Sequence, residues 1–141
     1  MKEYWDIAVV LGACRNNIFE EVHREHLPFG SLEKRLGASD TFDWLHSAFR
    51  GYAANDIVYV SAHPGINAKG VPWGGFNANE RFYKVCDVWL SAWDWSVGAS
   101  LPEEVAKVAV DRSNLHIKTQ IKTGADQEKK PESETVKTLV S

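Results

Sequence analysis

The feature that most constrains this chain is a run with no periodicity in its middle. Residues 63–79 read HPGINAKGVPWGGFNAN, with four glycines, two prolines and three asparagines. No helix or strand survives such a composition, so the chain must build its regular structure on either side. An irregular segment of this length inside a compact domain is uncommon and is often functional. Trp73 and Phe76 argue against a slack excursion, because a mobile loop would leave both rings in water.

On the N-terminal side, residues 56–62 read as a strand. Ile57, Val58, Tyr59 and Val60 are β-branched or aromatic, and Asn55-Asp56 form a turn before them. Asp40, three residues before Asp43, caps a helix carrying Phe42, Leu45, His46 and Phe49, which Gly51 closes. Ser31 caps a short helix through Leu36, ended by Gly37. Ile7, Val10, Leu11, Cys14, Ile18 and Val22 fall at three- and four-residue steps, which predicts a helix over residues 4–27. A buried strand at Ile7–Leu11 followed by a helix from Asn16 is the competing reading.

On the C-terminal side, Asn77 with Glu80 signals a helix start. Phe82, Cys86, Trp89 and Trp93 then recur at steps of four, three and four, predicting an aromatic-faced helix over 80–97 that Gly98 stops. Ser100-Leu101-Pro102-Glu103 is a second capping signature, before Val105, Val108 and Ala109. Leu115, Ile117, Thr119 and Ile121 alternate with polar residues, a period of two that predicts a strand over 115–122 paired with 57–62. A continued helix is the alternative there. After Gly124 the chain turns polar, and residues 124–141 are expected to form a flexible tail. Val136, Leu139 and Val140 stand out in it as a short docking motif. The expected fold is α+β: a mostly helical small domain over residues 1–123 with a small β-sheet, followed by the polar C-terminal tail.

Composition narrows function more than it selects it. The apolar share is 44% and the charged share 25%, so 141 residues suffice for a core without metal or disulfide. A net charge of -3 and no basic cluster argue against nucleic acid as a partner. No stretch approaches a membrane span, and Glu3 and Asp6 spoil a secretory leader, so the expected location is cytoplasmic. The two cysteines, Cys14 and Cys86, both in apolar stretches, read as buried free thiols, with one disulfide as the alternative. Six tryptophans are many for this length and suit a core, a ligand pocket or an interface.

Three constellations carry possible chemistry. His63 follows the 56–62 strand directly and has a proton-transfer group suited to neutral pH, so it is the candidate catalytic residue. Lys69, Trp73, Asn67 and Arg81 are the candidate ligand-binding residues, with Lys69 or Arg81 to hold an anion and Trp73 to wall the pocket. The segment matches neither phosphate-loop nor dinucleotide-loop spacing. A second set, Glu20, His23 and His46, can face one metal ion from two helices, although such pairs often arise by chance. Nucleophilic catalysis lacks a motif around either cysteine. No cofactor is expected.

Within residues 46–110, the stretch HSAFRGYAANDIVYVSA is similar to the opening strands of the Rid family, the reactive-intermediate (imine or enamine) deaminases. The glycine-rich loop, a helix from about Asn79 and GASLPEEVAKVAV at 98–110 follow in that family's order. Ala62 stands where the family has glycine, and no residue role is carried over. The resemblance implies a homo-oligomer, a trimer with small-ligand clefts between subunits, and metal-free hydrolysis of imines by a bound water.

Two functions therefore compete. One is a small-molecule-binding enzyme domain, hydrolase- or deaminase-like, that uses the 63–79 segment. The other is a non-catalytic interaction subunit of a larger assembly, with a tryptophan-rich interface to a protein partner and the tail as tether.

Overall fold

Ile57 to Val60 form an unbroken apolar run, which a strand tolerates only when both its faces are covered. The computed structural model, which describes residues 5–10, 16–33, 40–70, 73–122 and 137–140, shows how they are covered. Strand β2 (Ala54–Ser61) lies inside a four-stranded sheet of order β1-β6-β2-β3, with β1 at Ile7–Val9, β3 at Phe82–Asp87 and β6 at Lys137–Val140. Each pairing in that sheet is parallel: Ile7 opposite Thr138, Tyr59 opposite Leu139, and Tyr59 opposite Val85 on the other flank. A small antiparallel pair, β4 (Trp93–Asp94) and β5 (Ala99–Ser100), stands apart.

Parallel strands need crossovers, and these supply the covering layers. Between β1 and β2 come α1 (Asn16–His26) and α2 (Thr41–Ala48); between β3 and β6 come α4 (Trp89–Ala92) and α5 (Pro102–Lys122). Leu45 of α2 and Phe49 at its C-cap pack with Ile57, Tyr59, Phe82 and Leu139 on one side of the sheet. Val105 and Ala109 of α5 pack with Val58, Val60, Cys86 and Val88 on the other. Each fully buried aliphatic chain contributes about 1.5–3 kcal/mol by leaving water. Phe82 joins the first layer to the sheet, its ring 4.7 Å from that of Tyr59 and edge-on to Phe49 at 5.0 Å. The outcome is the expected α+β domain with a small sheet. Among the described residues no helix is long and apolar enough to cross a membrane.

Several local expectations are corrected. Residues 4–27 are not one helix: Ile7–Val9 form β1 and the helix begins at Asn16, as in the competing reading, though Ile7 and Val9 are exposed rather than buried. Three- and four-residue spacing cannot tell a three-residue strand from a helical turn. Ser31–Glu33 are irregular, and the rest of the predicted 31–36 helix lies outside the described residues. The aromatic helix over 80–97 is absent. The signature at Asn77 starts only the four-residue α3 (Ala78–Arg81), after which Phe82–Asp87 extend as β3. The helix that the Rid resemblance implies from about Asn79 is replaced in the same way. In β3, Phe82 and Val85 meet the α2 side while Tyr83 and Cys86 meet the α5 side, an irregular alternation that imitates helical spacing. A register shift between Ala54 and Val58 of β2 accompanies it.

Residues 115–122 continue α5 instead of forming a strand, so the helical alternative holds. Helix α5 does begin at Pro102, but Ser100 belongs to β5 and its hydroxyl does not serve as the cap. Asp40 caps α2 as expected, its carboxylate accepting the Phe42 and Asp43 amides at 2.8 and 2.9 Å. The largest correction concerns the polar tail. Its residues 137–140 are an interior strand with Leu139 fully buried, while residues 123–136 lie outside the described part. Cys86 is a free, buried thiol whose pKa is raised, chiefly by desolvation; Cys14 lies outside the described residues.

Candidate functional site

In a parallel sheet all carboxyl ends lie along one edge, and ligands of open α/β sheets bind in the loops beyond that edge. Here β2 ends at Ser61 and β3 at Asp87, so residues 62–70 and 88–101 leave the sheet side by side. The Val88 amide donates to the Ser61 carbonyl at 3.0 Å, and the Ser100 hydroxyl donates to the Ala62 carbonyl at 2.9 Å. The Leu101 amide donates to Ala92 O, which brings the first turn of α5 to the same edge.

The 63–70 loop is fixed by its own short polar side chains. Ser61 Oγ donates to the His63 carbonyl and accepts the His63 amide. Buried Asn67 donates to Pro64 O at 3.1 Å and accepts the Lys69 amide at 3.0 Å. The Asp87 carboxylate accepts the Ala68 amide at 2.9 and 3.2 Å, tying the loop to the end of β3. Ile66 is driven into the core, only 1% exposed.

His63 occupies the edge with a defined tautomer. Its Nδ1 accepts the Gly65 amide at 3.0 Å, so the neutral ring carries its proton on Nε2. Partial desolvation lowers its pKa, although the residue as a whole is exposed. Phe42 of α2 meets this ring edge-on at 6.0 Å. The same helix clamps the far end of the glycine-rich segment, where His46 Nε2 donates to the Gly74 carbonyl at 2.8 Å. Gly74 has φ +56, and a Cβ there would stand 2.7 Å from Phe42 Cγ, so no larger residue fits without displacing the ring.

The predicted site residues do not all converge. His63, Asn67 and Lys69 share the carboxyl-edge loop, but Asn67 is a brace within it and Lys69 is exposed. Arg81 precedes β3, at the opposite end of the sheet. A six-residue strand separates it from that edge by roughly 20 Å, so Arg81 does not join His63. Trp73 begins a short 3₁₀ turn, and its side chain lies outside the described part. Among the described residues no three His, Cys, Asp or Glu side chains gather to hold a metal. The set Glu20, His23 and His46 is not brought together: His23 Nδ1 contacts Glu20 O on α1, whereas His46 is turned to Gly74.

Sequence reasoning overlooked Asp87, Ser100 and the Phe42–His46 clamp. In the sequence Asp87 reads as part of a helix and Ser100 as a cap. The indole N–H groups of Trp89 and Trp93, in the segment after β3, are buried with no partner among the described residues. An open groove of about 750 Å³ lies elsewhere, between the last turns of α1 and residues 27–32, and none of the predicted ligand-binding residues lines it. No family model matches this chain, and neither does any curated protein or solved structure.

Proposed function

We propose that this domain binds a small ligand bearing hydrogen-bond acceptors, such as a carbonyl or carboxylate oxygen, at the carboxyl edge of its parallel sheet. The observation that carries this reading is the Nε2–H of His63, a tautomer set by the Gly65 amide on Nδ1, on a residue exposed at this edge. A neutral imidazole in that state offers a donor, not a base. Protonating Nδ1 would set two donors against each other, so His63 orients or polarises an acceptor instead of abstracting a proton. The indole N–H groups of Trp89 and Trp93, buried without a partner among the described residues, are two further donors in the segment that follows β3.

The test is a fragment screen by NMR, using small carboxylates and amides. The expected result is that hits perturb the amides of 62–70 and 88–101 together, and lose affinity in His63→Phe. Hits that perturb only residues 20–32 would overturn the proposal. The second reading, an interaction subunit, is favoured by one observation: Trp95 is 89% exposed on an ordered turn.

A further inference from the structure

The β4–β5 hairpin is fixed by its own turn. Asp94 Oδ1 accepts the Ser96 amide at 2.8 Å and the Ser96 hydroxyl at 2.6 Å. The Gly98 amide donates to Asp94 O at 2.8 Å, with Gly98 at φ +70 closing the turn. On this frame stand two indoles, one on each side of Asp94 in the chain. The rings of Trp93 and Trp95 meet at 68° with centroids 6.1 Å apart, so they do not stack face to face. Trp95 is 89% exposed, and Trp93 is half-buried with its indole N–H inside. Val97, two residues further on, is exposed as well.

The charge on this stretch of chain has one sign. From Asp87 to Ala106 it carries Asp87, Asp94, Glu103 and Glu104 and no Lys, Arg or His. The Asp94 carboxyl is held below the usual carboxylate range by the Ser96 hydroxyl first, then by the Ser96 and Val97 amides. No basic side chain acts on it, so at neutral pH it is an anion with no counter-charge among the described residues. An indole face carries the negative end of the ring quadrupole and attracts a cation within about 6 Å of its centroid. With the two centroids 6.1 Å apart, one ion can lie within that reach of both rings.

We propose that Trp93, Trp95 and Asp94 form a binding site for a small, free quaternary ammonium ion of the size of choline. The class follows from what the hairpin offers. It presents ring faces, the methyl groups of Val97 and a negative charge, while Asp94 Oδ1 is already committed to Ser96. A primary ammonium is strongly hydrated and would exchange its waters for few acceptors here. A methylated ammonium has no N–H to satisfy, and its charge is spread over methyl groups that suit an indole face. The site does not depend on His63 or on what binds there. At this exposure it is weak, about millimolar, and it loosens as salt is added.

The experiment titrates the full chain with choline and follows the indole N–H signals by NMR. The Trp93 and Trp95 signals are expected to shift together, with one dissociation constant, while those of Trp5 and Trp44 on the α2 side stay in place. The decisive control is 3,3-dimethyl-1-butanol, which has the shape of choline without its charge. It should bind at least about 5-fold more weakly. Trp95→Leu should weaken choline by about 3- to 5-fold, and Trp95→Phe by less, because it keeps a π face. Asp94→Asn removes the charge but keeps an oxygen for the Ser96 bonds, and should weaken choline by about 2- to 3-fold. Circular dichroism checks that each variant stays folded. Equal binding of the neutral alcohol, or undiminished binding in folded Trp95→Leu, would overturn the proposal. So would sedimentation with phosphatidylcholine vesicles that choline does not compete away, because Trp95 and Val97 would then be entering lipid as apolar groups.

Discussion

Two excursions leave the same edge of the sheet and treat their apolar residues in opposite ways. The 63–70 loop turns Ile66 inward, and the continuing segment buries Phe76 beneath α2. The 93–100 hairpin turns Trp95 and Val97 outward. Both are held by a short polar side chain bonded to nearby backbone, Asn67 in one and Asp94 in the other. Local order therefore does not depend on burial here. The first excursion contributes to the core; the second contributes to the surface.

The sharpest way to break this contrast is to empty the inward one. Ile66→Ala is expected to cost about 3 kcal/mol in urea unfolding, because the cavity opens among fully packed neighbours. A loss below about 1 kcal/mol would mean that the loop is not part of the core. Gly74→Ala should cost about 2 kcal/mol, since the new Cβ meets Phe42 and the residue must hold φ +56. An unchanged midpoint would show that the α2 clamp yields freely.

Acid should loosen the inward loop further. The pKa of His63 lies below its unfolded value because burial disfavours the charged ring, so the unfolded chain takes up the proton first. Stability contributed by the neutral ring is complete above about pH 6.5 and falls as pH drops through that value toward the lowered one. His63→Phe should remove this part of the pH dependence, as read from unfolding midpoints across that window. The smallest effect belongs to the outward excursion. Trp95→Ser should change folding stability by less than about 0.5 kcal/mol. A large loss would place Trp95 in the fold and not on display.

The legible parts of this fold were those decided locally. Ile57–Val60 could only be a covered strand, and Asp40 could only cap the helix that carries Leu45 and Phe49. The misread parts were decided at a distance. Lys137–Val140 is polar in context and only four residues long, and what makes it a strand is the open flank of β2 beside Tyr59 and Val60. The spacing of Phe82, Cys86, Trp89 and Trp93 suits a helix, yet it is spread over a strand, a helical turn and a hairpin. The candidate site followed the same rule. His63 could be marked because it ends a visible strand. Asp87 and Ser100 could not, since their value lies in bonds to Ala68 and Ala62 that only the parallel pairing creates.

The interior position of β6 also bears on how the protein is made. A ribosome delivers β2 long before the strand that lies against it, and Tyr59 must wait for Leu139. At about 5–20 residues per second that delay is roughly 4–16 s. Throughout it the nascent chain holds an unsatisfied row of backbone amides and carbonyls beside one of its most apolar segments, a template that any neighbouring strand can occupy.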